Sequence, residues 1–159
     1  MSGAALEARL RRVEDELAIR RILADYTAFL DARDYDSYVA LFAEQGEWTN
    51  HGGRFTGRAA IRAMLEQVVG PPGNPSGATY HLNSNERVDV EGDRATAVSR
   101  FLFMMRSPEN RPVPALAGLY RDEFVREAGH WKIARRVAQD LIPTPEQMAQ
   151  ILAARQAAL

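Results

Sequence analysis

Two side chains, Asp31 and His81, could carry chemistry in this sequence, and each stands out for a separate reason. Imidazole is the side chain that changes charge near neutral pH, and the chain has three histidines. His51 and His130 fall in turn-like stretches and read as exposed. His81 lies in TYHLNSNERVDVE, where period-two alternation sets it beside Asn83 and Asn85, with Tyr80, Leu82, Val88 and Val90 opposite. A face of His, Asn and Asn can meet water or line a polar pocket. Asp31 closes a helical stripe of Ile19, Ile22, Leu23, Tyr26, Phe29 and Leu30. A carboxylate at a helix C-terminus is unfavourable, because that end already carries partial negative charge. Asp31 therefore either caps a short helix in DYDSYVALF or points into a cavity.

Other chemistries lack their residues. With no cysteine there is no disulfide, thiolate nucleophile or thiolate-bound metal. No HExxH cluster, GxSxG elbow, Walker loop or strand-following GxGxxG occurs, so neither a metal nor a cofactor is expected. Arg135 and Arg136 read as one solvated and one half-buried side chain rather than an anion site.

The elements that must position these groups follow from periodicity. Leu6, Leu10, Val13 and Leu17 form a narrow seam that should run into the Ile19 helix and suits a subunit contact. Residues 47–50 and 54–57 read as short strands around Gly52-Gly53, and residues 58–69 as a helix with Ile61, Met64, Leu65 and Val68 on one face. GPPGNPSG is a surface loop. Strands are expected over 79–91, 94–106, 116–127 and 131–141, joined by turns at Gly92-Asp93 and Ala128-Gly129. Pro143 stops the last strand, and Thr144 can cap a final helix. Helices first and an antiparallel meander afterwards argue for α+β, a curved sheet with helices packed on one face.

A chain of 159 residues suits one domain, with a helical extension over 5–18 and a terminal helix over 144–158. A net charge of -1 gives no general attraction to nucleic acid or anionic membrane. No apolar run nears the roughly 20 residues that span a bilayer, and the first residues lack a signal-peptide core; the default is cytoplasmic. The unpaired apolar seam predicts a homo-oligomer, dimer or trimer.

The assembly AIRRILADYTAFLDARDYDSYVALFAEQGEW, FTGRAAIRAML, YHLNSNERVDVEGDRATAVS and GLYRDEFVREAGHWKIARRV, covering about residues 10–142, resembles the SnoaL-like family of the nuclear transport factor 2 superfamily. The resemblance implies a cone in which a long first helix packs on a curved sheet around an apolar pocket. In the family's dehydratase and dehydrochlorinase branch an Asp at the end of the first helix orients a His on the first long strand; Asp31 and His81 match those positions. Tyr26 resembles a tyrosine of the bile-acid dehydratase five residues before its Asp, and Trp48 resembles a pocket tryptophan of the dehydrochlorinase. The resemblance departs at Asp140, where the bile-acid enzyme has a functional Arg, which weighs against a CoA-linked or steroid-acid substrate.

On this reading Asp31 would fix the tautomer of His81, whose other nitrogen would move a proton on carbon, with Tyr26 as donor to the leaving group. Trp48, Phe55, Asn83, Phe101, Phe103 and Met105 would meet a mostly apolar ring compound. Plain core packing is the alternative for each of the apolar ones. Two functions stand open: a cofactor-free lyase or isomerase of dehydratase or elimination type, or a non-catalytic small-molecule binder or assembly subunit such as a ring-dioxygenase small subunit.

Overall fold

The computed structural model describes residues 3–73, 77 and 79–156. Four helices and six strands follow in the order α1 (Gly3–Ala32), α2 (Tyr35–Ala40), β1 (Phe42–Asn50), β2 (Gly53–Thr56), α3 (Arg58–Val68), β3 (Thr79–Glu91), β4 (Arg94–Arg106), β5 (Pro112–Glu127), β6 (His130–Ile142) and α4 (Pro145–Gln156). The fold is α+β: α1, α2 and α3 pack on one curved, unclosed sheet of order β2-β1-β6-β5-β4-β3. The long strands β3 to β6 form the expected antiparallel meander. Among the described residues, no helix is long and apolar enough to cross a membrane.

The two halves of α1 behave differently. Ile19, Leu23, Tyr26 and Leu30 recur at four-three-four spacing and are buried against the sheet. Burial of that kind contributes roughly 1.5–3 kcal/mol per side chain. Asp15 anchors the middle of the helix, accepting from Arg126 of β5 at 2.5 Å and from the Trp131 indole of β6 at 3.0 Å. Beyond it Leu6, Leu10, Val13 and Leu17 are 54–62% exposed. The helix is continuous through both halves, as the periodicity predicts.

Elsewhere the structure corrects the sequence reading. Asp31 does not cap α2; Asp34 does, accepting from the Ser37 amide at 3.1 Å. β1 starts at Phe42 rather than Glu47, because it pairs in parallel with β6, a tertiary contact that local alternation cannot report. β5 starts at Pro112 rather than Leu116. Its prolines are tolerated because β6 ends opposite Ala117, which leaves the 112–116 stretch paired on one side only. On β3 a bulge between Ser84 and Arg87, with Asn85 at φ +57°, reverses the alternation. Asn85 is thereby exposed, and Val88 and Val90 pack into the core on the side of His81 and Asn83 rather than opposite them. Tyr80 and Leu82 are exposed.

Thr144 and Gln147 close a reciprocal capping box at the start of α4: the Gln147 amide donates to the threonine hydroxyl at 3.3 Å, and the Thr144 amide donates to the glutamine carbonyl at 2.9 Å. The expected terminal helix and the GPPGNPSG loop each extend in part outside the described residues.

Candidate active site

Between the helices and the inner face of the sheet lies a cavity of about 400 Å³. Tyr26 and Leu30 of α1, Tyr38 of α2, Met64 and Leu65 of α3 and the rings of Trp48, Phe101 and Phe103 make it mostly apolar. Into this wall the sheet sets His81, whose side chain is 13% exposed.

Asp31 holds His81 at two points. One carboxylate oxygen lies 2.6 Å from Nδ1, and the other accepts the His81 backbone N–H at 2.9 Å. An ionised carboxylate only accepts, so Nδ1 carries the proton and Nε2 is the nitrogen left for the cavity. The Phe103 ring lies against the imidazole, 4.7 Å between centroids, which fixes its plane. The acid at the helix end is thus satisfied by a strand fifty residues on, and its unfavourable place on the helix is explained by that partner.

Tyr26 occupies the cavity floor. Its hydroxyl accepts the Trp48 indole N–H at 2.9 Å and lies within hydrogen-bonding reach of the Tyr38 and Tyr120 hydroxyls. Beneath the ring, at 3.8 Å, lies the guanidinium of Arg136, which also covers Tyr120 at 4.3 Å. Arg136 is fully buried, not half-buried, and paired with the equally buried Asp122 through bonds of 2.6 and 2.7 Å. Burial alone would lower its pKa; the Asp122 charge and hydrogen bonds outweigh that and hold it above the ordinary value. Burial, reinforced by the nearby Tyr26, pushes the Tyr38 and Tyr120 hydroxyls well above theirs. Both stay neutral near pH 7. Arg135 is solvated, against Glu47 and Glu123.

The remaining expected contacts divide. Trp48, Phe101, Phe103 and Met105 line the cavity. Phe55 is not in the lining; it packs against Trp48, at 6.1 Å between ring centroids. Asn83 is not either: its amide nitrogen reaches the Leu23 carbonyl at 3.4 Å and ties β3 to α1. Other lining residues are not among the expected site contacts, and two of them form a charged pair. His51 and Asp140 line the cavity and pair, Nδ1 to carboxylate oxygen, at 2.7 Å. His130 is exposed, as expected. Among the described residues, no group of three or more potential ligands is arranged for a metal ion.

A SnoaL-like domain matches residues 11–137 of the sequence. The chain belongs to the SnoaL-like family. Its relatives include the gamma-hexachlorocyclohexane dehydrochlorinase of Sphingobium indicum, 24% identical over 131 residues that cover 81% of this SnoaL-like chain and 82% of that enzyme. An NTF2-like protein with a cystatin-like fold from Novosphingobium aromaticivorans superposes with a TM-score of 0.83 at 28% identity, covering 93% of this chain and 96% of its own. A provisionally assigned scytalone dehydratase of the same organism superposes with a TM-score of 0.68 at 30% identity, covering 82% and 86%.

Proposed function

We propose that this SnoaL-like protein is a lyase of the elimination type, acting on a mostly apolar ring compound that fits the cavity. One observation carries the reading: an imidazole in an apolar wall, its Nδ1 held by a carboxylate at 2.6 Å. Nε2 of His81 removes a proton from a ring carbon, the electron pair forms the new double bond, and the leaving group departs on the adjacent carbon. The imidazolium so formed is stabilised by Asp31. Tyr26, whose hydroxyl accepts the Trp48 indole N–H, hydrogen-bonds the departing group. None of these proton transfers calls for a metal or cofactor. The dehydrochlorinase and the provisionally assigned scytalone dehydratase among the similar proteins support an elimination.

The test is turnover of a panel of cyclic β-hydroxy ketones and chlorinated cyclohexanes, followed by product formation and by deuterium exchange at the acidic carbon. His81→Ala should lower kcat/KM by about 10²–10⁴-fold with the fold intact. In Asp31→Asn one of the two oxygens becomes an NH2. Either the backbone N–H loses its acceptor, or a donor faces Nδ1 and selects the tautomer whose Nε2 cannot act as a base. A large loss follows either way. Tyr26→Phe should cost less, since water can replace the donor. A folded protein that neither exchanges nor eliminates on any panel member favours a binding or assembly role and refutes the proposal.

The exposed seam of Leu6, Leu10, Val13 and Leu17 supports a homo-oligomer in which this half of α1 is covered by another copy. Light scattering at micromolar concentration should report a dimer or trimer; a monomer overturns this.

A further inference from the structure

We infer that His51 and Asp140 form a second acid–base pair of the same cavity, which protonates an oxygen leaving group, so that the natural substrate is a ring alcohol that loses water rather than a halide. The inference rests on the elimination reading above and deepens it.

Asp140 projects from β6, nine residues after Trp131, and its side chain is 9% exposed. A carboxylate in the wall of a mostly apolar cavity is unfavourable unless it is paired. The pair it makes is with His51, 2.7 Å away in the turn between β1 and β2. The arrangement repeats that of Asp31 and His81: the carboxylate engages Nδ1 and leaves Nε2 unclaimed by that pair. The difference is exposure. His51 is 49% exposed and His81 13%, so His51 stands at the mouth, where solvent can reprotonate it, and His81 stands inside.

His51 and His81 line one cavity of about 400 Å³, so one bound molecule can meet both. A ring compound can meet His81 at carbon and His51 at oxygen.

The chemistry explains why two imidazoles are useful. Hydroxide is a poor leaving group and must leave as water; chloride needs no proton. In the step, His81 Nε2 takes the proton from carbon, that C–H pair becomes the double bond, and the C–O bond breaks. The oxygen takes the proton from His51 Nε2, and neutral water leaves. His81 ends protonated and His51 neutral; solvent removes one proton and returns the other, with no net oxidation.

The experiment compares 3-hydroxycyclohexanone and 3-chlorocyclohexanone derivatives that carry the same apolar substituent, with the wild-type protein, His51→Gln, Asp140→Asn and His81→Ala. His51→Gln should lower kcat/KM on the alcohol by about 10²-fold or more and on the chloride by less than about threefold. The same split, smaller, is expected for Asp140→Asn, and the His51→Gln penalty should shrink along a series of aryl ethers as the leaving phenol becomes more acidic. Equal losses on both probes, or no loss on the alcohol, overturn the assignment. His81→Ala separates the two claims. If it abolishes both reactions while His51→Gln spares the alcohol, only the second pair fails; if it leaves both unchanged, the elimination site itself is misread.

Discussion

Replacing Asp122 by Asn should be among the most damaging single-atom changes available in this protein. Both members of the Arg136–Asp122 pair are fully buried, and the carboxylate makes two bonds, of 2.6 and 2.7 Å, to the guanidinium. The amide keeps the shape but removes the neutralising charge and turns one acceptor into a donor facing a donor. Stripping one partner from a buried pair costs about 3–5 kcal/mol, since the remaining charge has lost its water and gained nothing. The Tyr26 and Tyr120 faces return up to about 2 kcal/mol to a desolvated cation, but they already do so in the wild type and offer no rescue. With about 5–15 kcal/mol holding an ordinary domain together, the loss is a large share of the total. For a domain of this size it corresponds to a fall in Tm of roughly 6–20 °C. Thermal and urea unfolding at pH 7, followed by circular dichroism, measure it. The double variant Asp122→Leu, Arg136→Met should recover most of the stability, because swapping the whole pair for apolar side chains is often neutral. A loss below about 1 kcal/mol for Asp122→Asn would refute the reasoning, as it would mean that water reaches Arg136 in the folded state.

Two further substitutions probe the scaffold. In Gly118→Ala the new Cβ would lie 2.2 Å from the Gln139 carbonyl oxygen and 2.6 Å from the Phe101 ring; backbone cannot yield, so a loss of about 3 kcal/mol or more is expected in urea unfolding, and less than about 1 kcal/mol refutes it. Asp15 is pushed up by burial, but the hydrogen bonds from Arg126 and Trp131 outweigh this and leave its pKa below the usual 3.8. The unfolded chain therefore binds the proton more readily, and the stability Asp15 contributes is present above about pH 4 and lost as pH falls through its depressed folded value. Asp15→Asn should flatten the acid limb of the stability–pH curve in that window; an unchanged limb refutes the assignment.

What the sequence makes legible follows from how far each signal reaches along the chain. The stripe from Ile19 to Leu30 and the turns at Gly92-Asp93 and Ala128-Gly129 are local, and the first helix and the meander come out as expected. The parallel β1–β6 pairing depends on a partner some ninety residues away: the Ile133 amide donates to the Leu41 carbonyl, and nothing in FAEQGEW announces it. Asp31 is legible as an acid in an electrostatically poor place, whereas its partner His81, fifty residues on, is not announced by the helix itself. Arg136 is not legible, because an Arg-Arg dipeptide in a charged strand looks solvated until Asp122, fourteen residues earlier, is seen opposite it. His51 and Asp140 share that difficulty. They are eighty-nine residues apart, one in a glycine-rich turn and one near a strand end, and neither position alone suggests a pair.

The bulge on β3 shows how the fold reconciles a packed core with a reactive wall. Directly opposed residues in an antiparallel pair share a face, and β4 presents Ala95, Ala97, Ser99, Phe101 and Phe103 inward without interruption. Its partners are Val90 and Val88 at one end and Asn83 and His81 at the other. Those four cannot all face inward on a regular strand, since two are odd-numbered and two even-numbered and successive side chains alternate. One extra residue resolves the conflict. With Asn85 in the left-handed region, the valines pack against the core while the imidazole still turns toward Asp31. The irregular point that defeats a period-two reading is thus what allows one strand to seal the core at one end and furnish a base at the other.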